Sequence, residues 1–290
     1  MSRDQHPRQP IALVVSDIDG TLVTKAKVVT PRARAAIAQL KQRGIGFSVA
    51  SARPPVGLRS IVQSIGIEVP VGAVNGGAII RPDLTIIERL ILPIDAVKTS
   101  VSMLRRQGID AWLFTDDEWF CRDPNGAHVD HEATTLGLRP TIVEEFDDAH
   151  MSRTLKIVAA SHDHPLLAEC EAILQAELGG SALATRSQSY YLDITNAAAN
   201  KGAAVRGVAR NLGVPLDQVF TIGDGYNDTP MFDVSGFSVA MGNATDAVKH
   251  MANVVTDTCE NEGFAKAIER YVLNMPVDAV AASYEGSVQS

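Results

Sequence analysis

The sequence predicts an α/β protein whose parallel-sheet core is assembled from both ends of the chain, with a separate α+β domain inserted between the two halves. Three observations carry this expectation. Short apolar runs alternate with helical stretches over roughly the first 80 residues, and again from about Asp193 onward. Strands in the intervening stretch, from about Asp83, show a polar face. About 150 positions separate Ser51 from Lys201, far more than the ~30 residues of an ordinary βαβ passage.

The elements follow in order. Residues 11–16 form a short continuous apolar run, as expected of a strand covered on both faces. TPRARAAIAQLKQRGI then places Thr30 as a helix cap, Pro31 in the first turn and Gly44 as the stop. IGFSVAS reads as a second buried strand, PPVGLRSIVQSIGI as a helix ended by Gly66, and VGAVNGGAIIRPD as a third strand interrupted at Asn75-Gly76-Gly77. Beyond Asp83, TIIERLIL, AWLFTDDEWFCRD and RTLKIVAAS read as strands of an antiparallel sheet with one wet side. Helices over 94–107 and 165–178 interleave with them, and both tryptophans, Trp112 and Trp119, lie here. The last part reads as helix KGAAVRGVARNLGV, strand QVFTIGD, helix YNDTPMFDVS, strand FSVAMG, helix ATDAVKHMA and strand NVVTD. The expected division is core at 1–83 and 193–276, inserted domain at 84–192, and a flexible tail at 277–290.

A net charge of −8 over 290 residues argues against nucleic acid or an anionic membrane as the main partner. Three widely spaced cysteines, Cys121, Cys170 and Cys259, suggest neither a disulfide framework nor a structural zinc. The first ten residues are polar, and no apolar run approaches the ~18 residues of a membrane span. A cytoplasmic protein is expected, its oligomeric state unknown.

Ligands of parallel sheets bind beyond the carboxyl ends of the strands, so the polar residues there are the ones to collect. They are Asp17 and Asp19, Ser51, Lys201 at a helix start, and Asp224, Asn227 and Asp228 in GDGYND. Singly, each reads as a cap or turn residue. Together their chemistry suits phosphoryl transfer. Asp17 and Asp224 would hold Mg²⁺, a hard ion that prefers oxygen ligands. The Ser51 hydroxyl, the Lys201 ammonium and backbone N–H groups near Asp19 and Ala52 would bind phosphate oxygens. A carboxylate can attack phosphorus, and a second one two residues on can move protons. Arg53 would contact substrate or pair with Asp228 or another carboxylate. The stretch DPNGAHVDHE (123–132) fits no zinc spacing; it reads as a solvated or substrate-specificity loop, with His128, His131 and Glu132 as candidates to reach a substrate.

DIDGTL (17–22), Ser51, Lys201 in NKG and GDGYND (223–228) resemble, in order and spacing, the four motifs of the haloacid dehalogenase superfamily, and more narrowly its Cof-type sugar-phosphatase branch. NGGAII (75–80) resembles that branch's Asn-Gly stretch, and the resemblance covers nearly the whole chain. It implies a Rossmann-like core with a large cap inserted between the second and third motifs. It implies a Mg²⁺-dependent phosphatase acting on a small phosphorylated metabolite, a sugar phosphate above all, through an aspartyl-phosphate. Asp17 would be the nucleophile and Asp19 the acid/base, with Mg²⁺ on Asp17, the Asp19 carbonyl and Asp224. Asn227 and Asp228 would complete or orient that site, Asn227 also joining the phosphate-binding groups. Two departures stand out: Ser51-Ala52-Arg53 where Thr-Gly-Arg is frequent, and TNAAAN before Lys201 where a glycine-serine turn is common. Serine keeps the hydroxyl and Ala52 keeps its N–H. A phosphomutase would share this architecture; a phosphate-storing signalling protein would have no use for Asp19 or for the large insertion.

Overall fold

The computed structural model describes residues 6–274; the tail expected at 277–290 lies outside the described residues. The chain begins with β1 (Leu13–Ser16), α1 (Pro31–Gln42), β2 (Gly46–Val49), α2 (Arg59–Ile65), β3 (Val71–Ala73), β4 (Ala78–Ile80) and β5 (Ile86–Arg89). It continues through α3 (Ile94–Arg106), β6 (Ala111–Phe114), β7 (Trp119–Cys121), α4 (Val129–Leu136), β8 (Thr141–Ile142) and α5 (Asp148–Met151). Then come β9 (Lys156–Ala160), α6 (His164–Glu177), β10 (Ala182–Gln188) and β11 (Tyr191–Asn196). The last part holds α7 (Lys201–Leu212), β12 (Val219–Gly223), α8 (Thr229–Val234), β13 (Phe237–Ala240), α9 (Asp246–Lys249), β14 (Val254–Val255) and α10 (Gly263–Tyr271).

Two compact units emerge. Among the described residues, the first takes 6–51, 65–72 and 201–274; the second takes 52–64 and 73–200.

In the first unit five parallel strands lie in the order β14-β13-β12-β1-β2. β1 is an inner strand between β12 and β2, and Leu13, Val14 and Val15 are fully buried, as an unbroken apolar run requires. Thr30 caps α1 by accepting the Ala33 N–H, Pro31 opens it, and Gly44 follows its end at φ +72°. Gly66, at φ +64°, follows α2 in the same way. α1 packs against α10 and α7 against α8. Gly72 is required by close packing: a Cβ there would come within 2.6 Å of the Ala204 Cβ on α7. The register matters most for the site. Ser16 lies opposite Val49 on one side and Ile222 on the other, so β1, β2 and β12 end level with one another.

The second unit holds a six-stranded sheet in the order β10-β11-β9-β6-β7-β8, antiparallel except for the β7–β8 pair. β3, β4 and β5 make a small sheet of their own. The turn before β4 begins earlier than its glycines suggest, with Val74 and Asn75 both at φ +51°, a conformation that a β-branched residue rarely adopts. One face of the large sheet packs Leu113, Ile157, Ala159, Leu192 and Ile194 against apolar residues of α3 and α6. The opposite face, expected to be wet, is covered. There Trp112, Phe114, Val158, Ala160 and Tyr191 join Trp119, Cys121 and the α4 residues Val129, Ala133 and Leu136 in a second apolar cluster. Lys156, one of the polar residues that suggested water, pairs with Asp193 of β11 at 2.6 Å inside the protein. β11 runs through the 192/193 position and pairs with β9 along Tyr191 to Thr195, so Asp193 sits within the inserted sheet. No described helix is long and apolar enough to cross a membrane.

Candidate active site

The level strand ends of the first unit bring its polar residues to one edge. β1 delivers Asp17, whose N–H still donates to Ile222 O across the sheet. The chain then doubles back: the N–H groups of Thr21, Leu22 and Val23 all donate to Ile18 O. Gly20 makes that reversal possible at φ +85°. A Cβ at Gly20 would strike the Asp224 carboxylate, so glycine lets the first and fourth motifs meet.

Beyond β12, the Asp228 Oδ2 accepts the N–H groups of Asp224 and Gly225, both at 2.8 Å. Gly223 is needed for this turn, since a Cβ there would overlap the Asp228 carboxylate. Lys201, the first residue of α7, is 1% exposed and places Nζ 2.5 Å from both Asp17 Oδ1 and Asp228 Oδ1. The TNAAAN segment builds the approach to it as an Asn-led turn: Asn196 Oδ1 accepts the Ala198 N–H, and Asn196 O the Ala199 N–H.

One lysine therefore faces three carboxylates. Asp17, Asp224 and Asp228 each offer an oxygen, all within 4.8 Å of one another. Burial pushes the Asp17 carboxyl up to about 7; Lys201 opposes the rise, and Asp228 and Asp224 add to it. Asp224 is also raised, by burial and then by Asp228, with Thr21 and Asn243 pulling the other way. Burial alone would lower Lys201, but Asp17 and Asp228 outweigh it and hold the ammonium above the usual lysine range. An all-oxygen donor set with excess negative charge fits a hard divalent cation.

The other expected residues fall into two groups. Asp19 is half-buried at the same edge, its carboxylate 2.6 Å from Lys27 Nζ. Ser51 is buried after β2, its N–H bound to Gly72 O. Asn227 is exposed, with its amide oxygen close over Gly225. Ala52 and Arg53 open the first segment of the second unit, where the Arg53 carbonyl accepts the Val74 N–H. Asp228 Oδ1 accepts from Lys201, and its Oδ2 from the Asp224 and Gly225 N–H groups. His128, His131 and Glu132 belong to the second unit, where the expected 123–132 loop turns into α4 at Val129. Glu132 accepts the Tyr191 hydroxyl at 3.1 Å, His128 stacks on Tyr190 with centroids 4.6 Å apart, and His131 is exposed.

Two residues at the edge escaped the sequence reading. Asn243 Nδ2 donates to Gly20 O and to Asp224 Oδ2, each at 2.9 Å, while its Oδ1 accepts the Cys259 N–H. Thr21 Oγ1 donates to Asp224 Oδ1 at 3.2 Å. Asn243 follows β13, so the strand-end rule that found Asp17 and Asp224 would have found it too.

The haloacid dehalogenase-like hydrolase family model matches residues 14–268. A 5-amino-6-(5-phospho-D-ribitylamino)uracil phosphatase of Bacillus subtilis is 27% identical over 264 residues, covering 91% of this chain and 96% of its own. A pyridoxal phosphate phosphatase of Escherichia coli is 27% identical over 271 residues, covering 90% and 98%. The solved haloacid dehalogenase-like hydrolase of Bacteroides thetaiotaomicron superposes with a TM-score of 0.83 at 27% identity, covering 90% of this chain and 99% of that one. The chain belongs to the haloacid dehalogenase-like hydrolases, in their Cof-type branch, and is a phosphatase of small phosphorylated metabolites.

Proposed function

We propose that the protein is a Mg²⁺-dependent phosphoric monoester hydrolase that works through an aspartyl-phosphate on Asp17. The observation that carries this reading is the buried Asp17 carboxylate, held by Lys201 and lying within ligand distance of Asp224 and Asp228. Asp17 attacks phosphorus as the ester P–O bond breaks, and Asp19 gives its proton to the departing oxygen. Water then attacks the aspartyl-phosphate and passes its proton to Asp19, and the P–O bond to Asp17 breaks to release phosphate. Lys201 and Ser51 bind the phosphoryl oxygens, helped by the N–H of Ala52 and by Asn227. Asp17, the Asp19 carbonyl and Asp224 would hold Mg²⁺, which would supply neutralisation of charge on the transferring group. Asp228 orients the Asp224 turn, and the insertion acts as a cap. Relatives named for a ribitylamino phosphate and for pyridoxal phosphate support a small substrate with the phosphate at one end, a sugar phosphate among them.

The test is phosphate release from a panel of sugar phosphates with Mg²⁺ or with EDTA, for the wild type and for Asp19→Asn. EDTA is expected to abolish release, and Asp19→Asn to slow turnover by roughly 10²–10⁴. Full activity in EDTA overturns the metal assignment. Product isomers with little free phosphate identify a mutase instead.

Asn243 holds Asp224 from the side opposite Thr21. Asn243→Ala is expected to weaken Mg²⁺ binding by roughly 10–100-fold, read by calorimetry. Unchanged affinity would leave Asn243 no part in placing Asp224.

A further inference from the structure

We infer that Lys27 is a positioning residue for the proposed reaction: at the tip of a strap formed by residues 24–28, its ammonium fixes the Asp19 carboxylate for proton transfer to the departing oxygen. The inference deepens the phosphatase reading and rests on it, and the strap lies wholly within the first unit.

The strap follows the chain reversal at Gly20. The Thr24 N–H donates to Val28 O at 3.0 Å and the Lys27 N–H to Thr24 O at 2.8 Å, closing a tight turn. Val23 and Val29, on either side of it, are buried, while Lys25, Ala26 and Lys27 are exposed. Two carboxylates from the segment before α10 tie the strap down. Glu260 Oε1 accepts the Lys25 N–H and Glu262 Oε2 accepts the Thr30 hydroxyl, both at 2.6 Å. That segment is fastened to the site in turn: the Cys259 N–H donates to Asn243 Oδ1, and Asn243 Nδ2 donates to Gly20 O and Asp224 Oδ2. This frame delivers Lys27 Nζ to Asp19 Oδ1 at 2.6 Å.

Neither backbone geometry nor stability explains a lysine here. Lys27 sits at φ +61°, a left-handed conformation that L side chains rarely adopt and glycine accepts freely. Strain of this kind gathers at functional sites. An ion pair between side chains this exposed, 61% and 38%, adds little to stability. The contact does have a use in the chemistry. A carboxylate on a single methylene turns about two bonds, whereas proton transfer needs its oxygen within hydrogen-bond reach of the reacting one. As Asp17 bonds to phosphorus, the ester P–O bond breaks with its electron pair on the departing oxygen, which takes the Asp19 proton. With Oδ1 held by Lys27, that proton travels on Oδ2, and the attacking water later returns one to it. Lys27 stays an ammonium throughout.

The test measures kcat/KM, which covers the steps up to departure of the alcohol, for p-nitrophenyl phosphate and benzyl phosphate in the whole protein with Mg²⁺. The p-nitrophenolate leaves without a proton; the benzyl alkoxide needs one. Glycine suits the backbone at this position, so Lys27→Gly should melt close to the wild type. It is expected to lose about 10–100-fold more kcat/KM on benzyl phosphate than on p-nitrophenyl phosphate. Lys27→Arg keeps a cation at the tip and should restore most of the benzyl rate. In the Asp19→Asn background, Lys27→Gly should widen the gap between the two esters no further. Equal changes on both esters, or none, overturn the inference and leave the phosphatase reading intact, because a lysine that only supports the fold has no means of telling one leaving group from the other. No release from these esters or from any sugar phosphate overturns the phosphatase reading and this inference with it.

Discussion

Asp17→Asn is expected to lower turnover by on the order of 10⁴–10⁶, the scale on which removal of a nucleophile acts. The amide keeps the shape of the side chain and a hydrogen-bonding oxygen for Lys201, but it cannot form the acyl-phosphate bond. Loss of activity should therefore come without loss of fold. The measurement is phosphate release under single-turnover conditions, with a parallel search for acid-trapped, phosphate-labelled protein. Neither released phosphate nor a label is expected from the variant, while the wild type shows both. A variant that still turns over within tenfold of the wild type would move the nucleophile to another carboxylate, and the proposed chemistry would have to start again from Asp224 or Asp19.

Lys201→Met carries the largest expected effect on stability. The ammonium is buried between Asp17 and Asp228, and methionine fills a similar volume without a charge. Removing one partner from a buried ionic group costs about 3–5 kcal/mol, because the remaining charges are left uncompensated. Denaturant unfolding in EDTA should show this as a lowered midpoint with an unchanged slope. Adding Asp228→Asn should return much of the loss: the amide oxygen still accepts from the Asp224 and Gly225 N–H groups while one surplus charge disappears. If the double variant is no more stable than Lys201→Met alone, the coupling between these side chains is absent, and Lys201 stabilises the fold through packing rather than charge.

The residues beyond the carboxyl ends of the core strands were legible because two signals coincide there. A largely apolar run marks β1 and β12 as buried on both faces, and although one acidic residue after such a run reads as a cap or turn, acidic residues after two of them point together to a site. Asn243 was missed although it lies beyond the same end of the sheet, three residues past β13; an amide after a strand is common turn chemistry, and only its bonds to Gly20 and Asp224 distinguish it. The inserted sheet misled in a different way. Lys156 gave β9 an apparent polar face, and polar residues in alternation normally mean water, while β11, which carries its partner Asp193, was not read as a strand. Here they neutralise each other beneath α4, in a pairing between β9 and β11 that no local pattern encodes. The left-handed start at Val74 was hidden for a related reason: the glycines after it account for a turn on their own, and nothing in a valine announces positive φ.

β1 sits between β2 and β12, and β12 lies about 200 residues further along the chain. At the usual ribosomal pace of 5–20 residues per second, roughly 10–40 s pass between synthesis of the strand that carries Asp17 and synthesis of the strand that must lie beside it. During that interval β2 is available as a neighbour, but the other long edge of β1 is a row of unpaired backbone groups on an apolar ribbon. The inserted unit, drawn mostly from the single stretch 73–200 and possessing its own apolar clusters, has all its strands before the five-stranded sheet has its third. β1 is thus the first strand made and the one that waits longest for its second neighbour, and a nascent chain halted before residue 219 presents a finished insertion beside an open, aggregation-prone edge. Chaperone dependence in this molecule should concentrate on β1 rather than on the inserted unit.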